Sequence, residues 1–288
     1  MDPSVPIYIE KTDVKREPWL LLGQLQENNY YADVDVSCGN WTYRAHRIVL
    51  YNRSQWFKVA LDGQRTKEKA NIFIQEWSAE YINRLMTYIY HGDCEASGRY
   101  DFAGMIELWR LGEYFLMPML CEDALENLKK RLDEAGDELL SLEDDANPGV
   151  SGATMDSSAA KASAQITEIL GGYRAALAYV YQGVLSPASK ATEAPIVPPV
   201  VFTASHPIRQ LLVSFYMRSG FQYRRDSRRG LGTYIHQELP EFTADVQQKL
   251  RDVVGDTWLL GGPDECPLCG GDADPEPDRE DYDMYGQH

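Results

Sequence analysis

The stretch YADVDVSCGNWTYRAHRIVLYNRSQWFKVAL, residues 31–61, decides how the rest of the chain is read. It opens on alternation: Val34 and Val36 face one way, and Asp33, Asp35 and Ser37 face the other. That is the period of a half-buried strand. Cys38-Gly39-Asn40 supplies a turn, since Gly39 and Asn40 both tolerate positive φ. Trp41-Thr42-Tyr43 returns to β-favouring residues, so the segment predicts a hairpin. After Ala45-His46 the period changes. Ile48, Val49, Tyr51 and Asn52 begin a helix, and Ser54 is placed to cap a second one carrying Trp56, Phe57, Ala60 and Leu61.

On the N-terminal side, Pro18 suits the first turn of a helix bearing Trp19, Leu21, Leu22 and Leu25. Before it, residues 1–18 form an N-terminal segment in which Val5-Pro6-Ile7-Tyr8-Ile9 is β-prone, and a mobile terminus is expected. On the other side, Asp62 to Asn71 reads as a polar loop and Ile72-Phe73-Ile74 as a short strand. Ser78 is placed to cap a helix with Glu80 in its first turn. Ile82, Leu85, Met86, Ile89 and Tyr90 give that helix a buried stripe, and Gly92 ends it. A further helix carries Phe102, Met105, Ile106 and Trp109. Pro118 then opens one carrying Cys121, Ala124, Leu125, Leu128 and Leu132.

The ordered run from Asp33 through Phe57 resembles a BTB/POZ domain: an Asp-Val strand, a Gly turn, an apolar strand, Ala-His and a Ser-x-x-Phe helix start. The resemblance covers residues 19–132. It implies an α+β fold, a small sheet with a surrounding helical cluster, and a protein–protein interaction module without catalytic chemistry. It also implies a homodimer, with Trp19, Leu21, Leu22, Leu25 and Asp33 in or near the self-association surface. His46 and Phe57 are then structural. Family members that bind a cullin tend to carry an apolar-x-Glu element after the Phe helix. Gln64-Arg65-Thr66-Lys67-Glu68 puts polar or charged residues there, a departure from the cullin-binding pattern.

Beyond residue 132 the composition suggests a flexible linker over 133–162, a mainly α-helical region over 163–262, and an acidic, disordered tail over 263–288. Ile166, Ile169, Leu170, Tyr173 and Leu177 form one stripe, and the Pro- and Ala-rich 186–199 reads as irregular. Ser205 with Pro207 opens a helix bearing Ile208, Leu211, Leu212, Phe215 and Tyr216. Pro240 introduces the last one, and Glu238 to Val246 is similar to the C-terminal region of fungal BTB proteins.

The chain has 288 residues, 44% hydrophobic and 25% charged, the balance of an ordinary globular protein. No apolar run reaches the roughly 20 residues of a membrane span. The first residues lack a secretory pattern, and five scattered Cys suggest an intracellular, reducing compartment, cytoplasmic or nuclear. A net charge of −16 opposes nonspecific nucleic-acid binding by long-range repulsion from phosphate.

Other chemistry has only fragments to build on. His46 lacks an acid–nucleophile partner in sequence, and Asp33 reads as a satisfied structural carboxylate rather than a catalytic acid. Cys266 and Cys269 have the spacing of half a zinc knuckle, but tetrahedral zinc needs four ligands and no second C-x-x-C is present. Arg218, Arg224, Arg225, Arg228 and Arg229 form a cluster suited to phosphate or nucleic acid, or to pairing with the chain's own acids. Leu85–Gly92 and Leu177–Gly183 share a helix-ending pattern too brief to be a repeat. No cofactor motif appears. The expectation is a non-enzymatic adaptor that self-associates. The alternatives are a cullin-binding ubiquitin-ligase adaptor, or a metal- or nucleic-acid-binding protein using Cys266/Cys269 and Arg218–Arg229.

Overall fold

In the computed structural model, which describes residues 17–64, 69–94, 98–146, 157–183, 202–223 and 231–254, the alternating stretch forms the expected hairpin. Strands β1 (Val34–Cys38) and β2 (Trp41–Ala45) pair antiparallel, with Val34 opposite Ala45 and Cys38 opposite Trp41. Gly39 takes a left-handed φ of 55° at the turn. Strand β3 (Ala70–Ile74) lies parallel to β1, giving the order β2-β1-β3. A parallel neighbour needs a crossover, and helices α2 (Arg47–Arg53) and α3 (Gln55–Asp62) provide it. Val34, Val36, Cys38, Ala70, Ile72 and Ile74 bury one face of the sheet, while Asp35, Ser37, Asn71 and Phe73 lie on the other.

Ser54 caps α3 as its spacing predicts. Its Oγ accepts the Phe57 N–H at 3.1 Å and donates to the Phe115 carbonyl at 2.6 Å, joining the helix start to a distant turn. Phe57 is fully buried and stacks on Phe115 at 5.4 Å. Helix α4 (Ala79–His91) buries the expected stripe and ends on Gly92 at φ 74°. Ser78 stands at its N-cap, yet its hydroxyl makes no cap bond and is buried without a partner, contrary to the expected capping role. Helix α5 (Phe102–Tyr114) is buried on nearly every side, including Glu107 and Arg110. Its cap is Asp101, whose carboxylate accepts the Gly104 N–H at 2.8 Å.

Helix α6 (Pro118–Ala146) replaces the expected linker over 133–162 at 133–146, while residues 147–156 lie outside the described residues. Leu128, Leu132, Ala135 and Leu139 are all buried at helical spacing, so the acidic residues between them are the outer side of one continuous helix. Helix α7 (Ser157–Leu177) resumes before the expected boundary and runs into a π-helical turn, Ala178–Gln182, closed by Gly183 at φ 68°. Two helix ends, at Gly92 and Gly183, therefore share the left-handed stop that their sequences suggested. Helix α8 (Pro207–Tyr223) follows.

Residues Met1–Leu231 cluster as one compact unit and Gly232–His288 as another. The sheet-bearing segment and α6–α8 thus share the first unit. Helix α9 (Leu231–Glu238) had no clear periodicity to announce it, whereas α10 (Pro240–Val254) starts at the expected proline. Ile235, Leu239, Phe242, Val246 and Leu250 of these two helices and their junction are buried. Residues 186–199 and the tail 263–288 lie outside the described residues.

Candidate interaction surface

The loop between α1 (Glu17–Asn28) and β1 is held from behind and open in front. Behind it, His46 is buried, with Nε2 2.6 Å from the Tyr30 carbonyl and Nδ1 2.9 Å from the Tyr90 hydroxyl. A carbonyl can only accept, so Nε2 carries the proton and Nδ1 accepts from the Tyr90 O–H. The same hydroxyl accepts the His46 backbone N–H at 2.9 Å. Burial pushes the Tyr90 phenol up to about 12. Both ring nitrogens of His46 are thus satisfied within the fold.

Asp33 completes the same junction. One carboxylate oxygen accepts the Arg47 N–H at 2.7 Å, at the start of α2, where an anion also meets the positive end of the helix dipole. The other lies 3.7 Å from the Arg47 side chain. Asp33 therefore ties the start of the hairpin to α2.

In front, Tyr30 and Tyr31 are 66% and 92% exposed, and Ile48, two residues beyond His46, is 73% exposed. Asn29 and Tyr31 adopt left-handed φ values of 52° and 60°. A bulky residue seldom occupies that region, and such strain clusters at functional positions. Leu22 and Leu25 of α1 are half-buried, and the side chains of Trp19 and Leu21 lie outside the described residues. Helix α1 sits on α4 through Gly23, where an added Cβ would lie 2.6 Å from the His91 ring, and Gln26 accepts from His91 at 3.0 Å.

A second apolar corner lies between α5 and α6. Leu116 is at φ 51° and half exposed, Met119 is exposed, and Trp56, Tyr114 and Phe115 pack beneath with ring separations of 5.0–6.3 Å. The Met117 N–H bonds to the Gly112 carbonyl at 2.8 Å and the Leu116 N–H to Glu113 at 3.3 Å, a Schellman turn with leucine where glycine usually stands.

The helical region covers the far side of α5. Tyr179, in the π-helical turn, accepts from Arg110, whose guanidinium lies over the rings of Trp77 and Tyr179. Gly172 meets the Tyr100 backbone, and Phe202 packs beside Trp109 at 5.9 Å. Of these partners the sequence reading singled out Trp109 but not Arg110, Gly172 or Phe202, although Glu107 and Arg110, two charges three apart in an otherwise apolar run, were a visible signal.

The remaining candidates do not assemble into a site. Arg218 pairs with Asp133 at 3.2 Å and with Asp137, so it is committed to the chain's own acidic helix. Arg224, Arg225, Arg228, Arg229, Cys266 and Cys269 lie outside the described residues. Among the described residues there is no group of three or more metal-ligating side chains and no helix long and apolar enough to cross a membrane.

The BTB/POZ domain family model matches residues 22–132. The mouse TD and POZ domain-containing protein 2 is 30% identical over 107 residues, covering 36% of this chain and 29% of that protein, so the chain corresponds to less than a third of the relative's length. Among solved structures, the BTB domain of zebrafish PATZ1 is similar at 17% identity and a TM-score of 0.35, covering 44% of this chain and 99% of that one. The BTB domain of human Gigaxonin is similar at 14% identity and a TM-score of 0.33, covering 41% and 98%.

Proposed function

We propose, from the premise that residues 22–132 are a BTB/POZ domain, that this protein is a non-catalytic adaptor that pairs with a second copy of itself through α1, the 29–31 loop and the start of α2. The observation that carries the reading is the exposure of Tyr30, Tyr31 and Ile48, with Asn29 and Tyr31 on strained left-handed backbone. The Tyr30 carbonyl is anchored to His46, so the loop is pre-shaped and little ordering entropy is lost on binding. A two-fold pairing buries such a face against its own copy, the commonest oligomer solution. The fungal likeness of Glu238 to Val246 belongs to the same proposal.

Light scattering on a sizing column tests it. The expected mass is twice 32.7 kDa. The double variant Tyr31→Asp/Ile48→Asp is expected to run at the single-chain mass while keeping its helical circular dichroism. A wild-type monomer at high micromolar concentration refutes the proposal.

The Leu116–Met119 corner supports a second reading, in which a different protein docks between α5 and α6, a cullin among the candidates. Against a cullin stands Gln64, whose carboxamide is spent on the Asn71 backbone at 3.0 and 3.1 Å. Recovery of purified cullin at nanomolar affinity, lost in Leu116→Gly, would favour this second reading.

A further inference from the structure

Glu107 is 1% exposed at the centre of α5, and its Oε2 has no hydrogen-bond partner. One turn along the same helix lies Arg110, also buried. Its guanidinium is 5.5 Å from the Trp77 ring and 5.6 Å from the Tyr179 ring, and it donates to the Tyr179 hydroxyl. This is a polar connection between α5 and the π-helical turn that ends α7. The titratable surroundings are mixed in sign. Arg110 favours an ionised Glu107, while Glu80 of α4 opposes it. Glu80 itself is paired with Arg84 at 2.9 Å, and Arg84 also faces Asp101 at 3.6 Å. Tyr179 completes the set.

A neutral carboxyl can stay beside Arg110 without claiming it. An ionised carboxylate in the same dry position must find a cation, because an uncompensated buried charge is costly. Arg110 is the cation on its own helix face, three residues away. We propose that the docking of the π-helical turn on α5 is proton-linked: with Glu107 neutral, Arg110 stays on Tyr179, and with Glu107 ionised, Arg110 is drawn to the carboxylate and the turn around Tyr179 releases. Burial supports this by holding the Glu107 carboxyl up at about 8, so the exchange falls close to neutral pH. The docked form binds the proton more tightly than the released one, so docking is strongest in acid and is lost as pH rises toward 8.

Hydrogen exchange of the peptide spanning 173–183, measured on the full chain from pH 6 to 9 and corrected for intrinsic exchange, tests the proposal. One linked proton gives about a tenfold rise in the opening constant per pH unit, levelling off above the carboxyl's titration. Glu107→Gln is expected to keep the peptide protected and flat with pH. Tyr179→Phe is expected to exchange fast at every pH with little slope. A flat wild-type profile, or a Glu107→Gln profile as steep as wild type, overturns the linkage. A Tyr179→Phe variant that keeps the wild-type slope overturns the relay through Arg110.

Discussion

Two adjacent glycines in α7 give a sharp test of whether that helix is seated on the backbone at Tyr100. Gly171 is exposed, and an added Cβ there would meet nothing within 4 Å. Gly172 faces inward. A Cβ there would press on the Tyr100 carbonyl oxygen, with the carbonyl carbon and the Tyr100 Cβ each at 3.2 Å. In a helix interior, Gly→Ala is favourable by about 1 kcal/mol, so Gly171→Ala is expected to stabilise by about that much. Gly172→Ala gains the same propensity but forces α7 away from backbone that cannot rotate aside. Overpacking costs roughly 1–3 kcal/mol and more when the obstacle is main chain, so the net effect is a loss of roughly 1–3 kcal/mol. The two variants then differ by roughly 2–4 kcal/mol, or on the order of 10 °C in Tm for a unit of this size. Thermal and urea denaturation followed by circular dichroism measure it. Equal stabilisation by both substitutions would refute the seating of α7 on Tyr100.

Three further outcomes follow from particular contacts. Leu116→Gly relieves a left-handed leucine and is expected to raise stability by about 1 kcal/mol, read from the urea midpoint; a loss would refute the strain at that turn. Tyr90→Phe leaves the His46 N–H and Nδ1 buried without their partner and is expected to cost roughly 2–4 kcal/mol, whereas a change under about 0.5 kcal/mol would show that the junction is hydrated. Asp33→Ala removes the acceptor for the Arg47 N–H and is expected to cost about 1 kcal/mol, with early exchange of α2 amides as its local signature.

Local chemistry determined much of what was legible in the sequence. The alternation of residues 33–37, the Gly39 turn, the Ser54 cap and the stripe from Ile82 to Tyr90 each act over a few residues, so each could be read without knowing its neighbours in space. The same holds for the left-handed stops at Gly92 and Gly183. The Ser78 cap failed because a hydroxyl near a helix start bonds the backbone only when the local geometry offers an N–H. Over 133–146 the expected linker is helix instead, because acidic residues on one side of a helix look like a charged linker until the apolar side is shown to have something to bury against. Leu128, Leu132, Ala135 and Leu139 find that partner only in the folded unit.

By itself, then, the sequence determined the hairpin, the helix starts and stops, and the likeness to an interaction domain, because turns, caps and periodicity are short-range properties of the chain. Tertiary structure alone decided that His46 is locked between Tyr30 and Tyr90, that Glu107 and Arg110 lie beneath Tyr179, and that α7 rests on Tyr100. These contacts join residues 16 to 72 positions apart. Such partners are chosen by how helices and sheet pack, which no local pattern encodes.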